Sequence, residues 1–137
     1  MAEVRCLPYR TGVALRTGLS ARVDLSVTEA DTAVALRSGN VPVLATPRLV
    51  ALCEEATCEA LDGHLPEGTT SVAKRVQFDH LVPVGIGGQV TAEATLDRIE
   101  GRRLTFTVAV TDGSGLVGAG KVSRVMVDRT AFLTHAR

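Results

Sequence analysis

The sequence predicts an α+β domain, an antiparallel β-sheet wrapped around one long central helix. Three observations predict it. The stretch from Thr46 to Gly63 carries apolar residues at helical spacing, and segments on either side of it alternate apolar and polar residues as strands do. The strands that follow it are joined mostly by tight, glycine-bearing turns, which favours antiparallel pairing. With 137 residues the chain is long enough for a single domain with a real core. Residues 1–17 lack periodicity and read as an N-terminal arm, and residues 18–137 read as the domain.

The central helix is the best-defined element. Thr46 is a favoured N-cap type, Pro47 suits the first helical position, and Gly63 supplies a stop. Leu49, Leu52, Cys53, Ala56 and Ala60 form a face to be buried, and Val50, Cys58 and Leu61 form a second apolar row. The polar side is narrow, made of Arg48, Glu55, Glu59 and Asp62, so other structure is expected to cover most of the helix. Glu54 stands out because it falls among Val50, Cys58 and Leu61. A carboxylate there is costly unless it is paired, protonated or facing a wet cleft, so Glu54 is a candidate functional group.

Before this helix, Leu19 to Val27 alternate as a strand with one wet face. Thr28-Glu29-Ala30-Asp31 has capping-box form, with Asp in the usual Glu position, and opens a short helix to Leu36 that Ser38-Gly39 ends. After the helix, a strand spans residues 70–81, with Val72, Val76, Phe78 and His80 on one face interrupted by Lys74. Pro83, Gly85, Gly87 and Gly88 break it as a turn and do not have the context of a phosphate-binding loop. Strands follow from Val90, from Leu104 and from Leu116, with turns at Glu100-Gly101 and Asp112-Gly113. Gly118 and Gly120 permit a bend or a close backbone approach, and a short helical tail begins near Asp128. One sheet covers only one side of an apolar helix, so at least a homodimer is expected.

Composition excludes several function classes. Formal net charge is zero with no basic run, and there is one Tyr, three Phe and no Trp, which argues against nucleic-acid binding. No apolar run is long enough to span a bilayer, and Met1 to Thr17 lacks the apolar core of a secretory signal, so a cytoplasmic location is expected. Cys6, Cys53 and Cys58 cannot all pair and have no metal-ligand spacing. They read as reduced thiols acting as small hydrophobes, with no metal and no bound cofactor expected. His64, in a loop, and His135, in the tail, have no functional constellation around them.

Five segments, in this order and spacing, carry a family resemblance: 41–47 (VPVLATP), 53–56 (CEEA), 78–80 (FDH), 99–104 (IEGRRL) and Ser123-Arg124. From about Leu19 to Phe132 the chain resembles the fluoroacetyl-CoA thioesterase branch of the hotdog-fold thioesterases. The resemblance implies a thioester hydrolase acting on an acyl-CoA or other acyl thioester, with coenzyme A entering only as part of the substrate. It implies catalytic roles for Thr46 at the helix start, Glu54 two turns further on, and His80 on the next strand. It places Arg124 in the substrate pocket, and Ala73 where the branch has a glycine that offers its backbone to substrate. Asn40 falls near the position of an aromatic gate, so the resemblance carries the reaction class and not the fluoroacetyl substrate. His80, held by Glu54, would take a proton from Thr46 or from water, with backbone N–H groups holding the oxyanion. The rival reading is a non-catalytic acyl-CoA-binding hotdog module, since fold does not dictate chemistry. A hotdog hydratase ranks last, because its helix motif of His and carboxylate is not evident.

Overall fold

A computed structural model describes residues 14–137. The greater part of the proposed arm, Cys6 included, lies outside the described residues. The elements are β1 (Ser20–Ser26), a 3-10 turn (Glu29–Asp31), α1 (Ala33–Leu36), α2 (Thr46–Leu61), β2 (Thr69–His80), β3 (Gln89–Glu100), β4 (Arg103–Asp112), β5 (Gly115–Asp128) and α3 (Arg129–Thr134). The five strands form one antiparallel sheet in the order β1-β3-β4-β5-β2, and α2 packs on its inner face. This is the predicted sheet around a helix. Leu49, Leu52, Cys53, Ala56 and Ala60 of α2 are buried against Val90, Ala92, Ala94 and Leu96 of β3, Leu104, Phe106, Val108 and Val110 of β4, and Val122 of β5. Strand alternation produces this directly, because successive side chains point to opposite sheet faces.

Three local expectations change. Thr46 is not the cap of α2: Ala45 takes that position, and Thr46 is the first helical residue with Pro47 next. The short segment after β1 is not one helix. Thr32 is extended between the 3-10 turn and α1, where its hydroxyl caps Ala35 N–H, and Arg37 in a left-handed conformation closes α1 instead of Ser38-Gly39. The second apolar row of α2 is only partly covered: Leu61 is buried, Val50 half-buried and Cys58 exposed.

The β2 strand carries the most consequential difference. The β2–β5 register shifts between Ala73 and Arg75, which leaves Lys74 as the extra residue of a bulge. Before the bulge, Ser71 and Ala73 face inward opposite Met126 and Arg124. After it, Val76, Phe78 and His80 face inward opposite Val122, Gly120 and Gly118. Val72 therefore lies on the outer face, against expectation, and Ala73 shares the inner face with His80. Gly118 and Gly120 allow the β2 backbone to come close, since a Cβ on Gly120 would collide with the Gln77 carbonyl and one on Gly118 with the Phe78 ring.

The capping box forms as the sequence predicts. Thr28 N–H and its hydroxyl both donate to Asp31 Oδ2, at 2.8 and 3.0 Å, and Arg48 Nε donates to Asp31 Oδ1 at 3.0 Å. Among the described residues no three His, Cys, Asp or Glu side chains cluster to hold a metal, and no helix is long and apolar enough to cross a membrane.

Burial by itself would raise the Asp31 carboxyl, but the Thr28 hydrogen bonds and Arg48 outweigh it and hold it below its ordinary value of 3.8. A carboxyl depressed on folding stabilises the protein above its unfolded pKa and loses that contribution as pH falls through the folded one. Asp31→Asn is therefore expected to cost roughly 2–3 kcal/mol near neutrality, and the gap should shrink below pH 3.8. Urea midpoints of both proteins from pH 3 to 7 measure this, and a gap independent of pH would refute it.

Candidate active site

The site is built on the start of α2 and the end of β2. Thr46, at the first helical position, is free of capping duty, and its Oγ1 lies 2.8 Å from His80 Nδ1. His80 ends β2 on the inner face set by the bulge. Its Nε2 is buried and has no hydrogen-bond partner among the described residues. A cleft of about 360 Å³ opens beside the pair, lined chiefly by Ala33, Val41, Val43, Pro47, Leu81 and Val82, and among the described residues no Asp, Glu, Lys or Arg lines it. Asn40 lies exposed on the loop between Gly39 and Val41, which both line this cleft, but is not itself in the lining.

Glu54 opens elsewhere. It is half-buried and lines a second cleft of about 650 Å³ together with Arg22, Asp24, Ala51, Cys58 and Arg124. Among the described residues its carboxylate has no hydrogen-bond or ion-pair partner. Within one chain, then, Thr46 meets His80, while the expected hydrogen bond from Glu54 to His80 is not formed. Cys53, on the buried side of the helix beside Glu54, is inert: burial, then the Glu54 charge, push its thiol up to about 12.

Arg124 is the surprise, because an isolated arginine on a final strand reads equally well as a surface charge. It is only 6% exposed. Its guanidinium donates to Ser71 Oγ at 2.8 Å, to the Ser71 carbonyl at 3.0 Å and to Thr57 Oγ1 at 3.3 Å, and among the described residues it pairs with no carboxylate. Ala73 is its cross-strand neighbour, so two of the three residues assigned to substrate binding, Ala73 and Arg124 but not Asn40, are brought together. Ser71 and Thr57 were not legible as site residues. Thr57 did leave a signal, being a polar residue in the helical row of Cys53, Ala56 and Ala60.

The sequence profile of the fluoroacetyl-CoA-specific thioesterase family (FlK) matches residues 27–130. The chain belongs to that family. It is 32% identical to the fluoroacetyl-CoA thioesterase of Streptantibioticus cattleyicolor over 95 residues, 69% of this chain and 68% of that protein. A solved structure of the fluoroacetyl-CoA thioesterase superposes with a TM-score of 0.82 at 28% identity, covering 88% of this chain and 94% of the other. A thioesterase-superfamily member from Thermus thermophilus superposes with a TM-score of 0.81 at 26% identity, covering 87% of this chain and 88% of the other. The sheet around the helix is thus the hotdog fold of these thioesterases.

A buried cation without a counter-charge gains little for the fold, and an apolar side chain of similar length serves packing better. Arg124→Met is expected to leave stability within about 1 kcal/mol of wild type or to raise it, while Arg124→Ala, which leaves a cavity, costs about 3 kcal/mol. Thermal midpoints decide between them. A large loss in Arg124→Met would make Arg124 a structural residue.

Proposed function

We propose that this hotdog-family thioesterase hydrolyses an acyl-CoA thioester carrying an uncharged acyl group, using Thr46 as nucleophile and His80 as its base. The 2.8 Å contact between Thr46 Oγ1 and His80 Nδ1, at the N-terminus of a 16-residue helix, carries the reading. In the productive tautomer Nδ1 accepts the Thr46 proton as Oγ1 attacks the thioester carbon, and Nε2 keeps its hydrogen. The tetrahedral oxyanion gains from the first-turn N–H groups of α2, which have no intrahelical acceptor, and from the helix dipole. As the C–S bond breaks, the CoA sulfur takes the proton from His80. Glu54 of the partner subunit then takes a proton from water as the water oxygen attacks the Thr46 ester carbonyl, and as the ester C–O bond breaks Thr46 Oγ1 regains that proton and the free acid leaves. As a base His80 must be neutral, so the rate rises with pH across the imidazole titration.

The assembly that supports this chemistry is a homodimer joined through β2. That strand has 12 residues and pairs on one side only, and the α2 face bearing Val50, Ala51, Glu54 and Cys58 is left uncovered by the sheet. Within a chain, Ala73 and His80 pair with Arg124 and Gly118, six residues apart on β5, so they are separated by about 20 Å at 3.3 Å per residue. Antiparallel pairing centred on β2 sets His80 opposite Thr69 of the partner subunit, only about 13 Å along the strand from Ala73 of the partner subunit. The Thr46–His80 cleft of one protomer then approaches the Glu54–Arg124 cleft of its partner. The lining of the first cleft, which among the described residues includes no Lys or Arg, supports an uncharged acyl group there.

Free-thiol release from a panel of short, branched, aryl and dicarboxylyl CoA esters tests the chemistry. Turnover of the uncharged esters should exceed that of succinyl-CoA by about tenfold or more. Thr46→Ala, Glu54→Gln and His80→Ala should each lower kcat by about 100-fold or more while folding is retained. Tight acyl-CoA binding with no turnover would indicate the binding module instead. For the assembly, light scattering should give twice the chain mass, and dilution that drives the protein toward monomer should be accompanied by loss of turnover. A fully active monomer would overturn the shared site.

A further inference from the structure

Asp31 is buried, 8% exposed, and lies outside both clefts. It touches the chain on either side of Thr46. Its backbone carbonyl accepts Ala45 N–H at 2.9 Å, one residue before Thr46. Its Oδ1 accepts Arg48 Nε at 3.0 Å, two residues after Thr46. The second carboxylate oxygen is held by Thr28 N–H and hydroxyl, which fixes the anchor to the end of β1. Arg48 is steadied in turn by Glu55 at 3.3 Å.

Helix α2 needs such an outside grip. Its cap, Ala45, has no side-chain acceptor for the first-turn N–H groups, and Pro47 has no N–H to donate. The segment in front of it is also sewn down, through Ala33 N–H to the Val43 carbonyl and Leu44 N–H to the Val84 carbonyl, both at 2.8 Å. None of those bonds reaches past Thr46 into the helix. The Asp31–Arg48 pair does. A shift of about 1 Å at the helix start would undo a 2.8 Å contact, and misplacement on that scale can cost about 100-fold in rate.

We propose that Asp31 is a positioning residue for the reaction: by holding Ala45 and Arg48 it keeps Thr46 Oγ1 against His80 Nδ1. This rests on the reading of Thr46 and His80 as the reacting pair. Asp31 itself touches no substrate.

The test is a double-mutant cycle. Asp31→Asn and Arg48→Met are made in the wild-type and Thr46→Ala backgrounds, with kcat and KM measured for each. The His80 imidazole ¹⁵N signals are followed by NMR as a readout that needs no turnover. In the wild-type background both variants should lower kcat by about 10- to 100-fold with KM changed less than about threefold. In the Thr46→Ala background the same substitutions should change the residual rate less than about twofold, because the group they position is gone. The His80 Nδ1 signal should move in both variants toward its position in Thr46→Ala. Equal losses in the two backgrounds, or a His80 signal left at its wild-type position, would overturn the proposal. Should Asp31→Asn not fold, Arg48→Met decides with Glu55→Gln as its control, since Arg48→Met removes the grip on the helix and the exposed Glu55 pair while Glu55→Gln removes that pair alone. Should wild type hydrolyse no thioester, the enzymatic reading fails while the imidazole signal still decides whether Asp31 holds Thr46 to His80.

Discussion

The packing of one helical stripe against the sheet fixes everything else. Leu49, Leu52, Cys53, Ala56 and Ala60 are the only side of α2 that the sheet inner face can accept, and burying them sets the rotation of the helix. At 3.6 residues per turn, Thr46 then lies about 60° from the centre of that stripe and Glu54 about 140° from it. Thr46 is thus held at the seam between helix and sheet, where the end of β2 brings His80 to it. Glu54 is turned out toward the uncovered side. The two are also about 12 Å apart along the axis, so no rotation of the helix would let both reach one imidazole within a chain. The helix that builds the core divides the site into two halves.

The placement of Thr46 and Glu54 on different sides of α2 was present in the sequence, in their angular spacing. The element types and the core were legible because both rest on periodicity alone: alternation in β1, β3 and β4, and the 3.6-residue row in α2. The turns at Gly87 and Gly101 follow from positive φ angles that glycine accepts easily. What periodicity could not show was where it breaks. Lys74 was visible as a charge in an apolar row of β2. Its meaning, that the row changes parity there, depends on the partner strand, since a bulge is a property of two strands. Without that switch Ala73 and His80, seven residues apart, would face opposite sides of the sheet.

Asp31 and Arg48 were illegible for a related reason. The capping box predicted a local role for Asp31, and α2 placed Arg48 on a polar row. Their meeting, across 17 residues, is set by how the strap between β1 and α2 folds back. Arg124 likewise gives no sign of burial in a strand of small and β-branched residues. Such interactions depend on tertiary placement, and sequence pattern carries only their local half.

Satisfied and unsatisfied polar groups are sorted by place. Asp31, buried away from both clefts, has both carboxylate oxygens engaged. At the clefts the reverse holds among the described residues: Arg124 is a buried cation with neutral partners only, His80 Nε2 has no partner, and Glu54 makes no hydrogen bond or ion pair. Each costs folding energy that an apolar residue would not. His64 Nδ1 is also orphaned, but it stands alone, away from either cleft. A cation, an imidazole and a carboxylate, each short of a partner among the described residues, line two clefts and are chemically complementary to one another and to a polar thioester. What is missing from each is what a second protomer and a bound substrate would bring, which ties the assembly and the chemistry to the same set of unmet contacts.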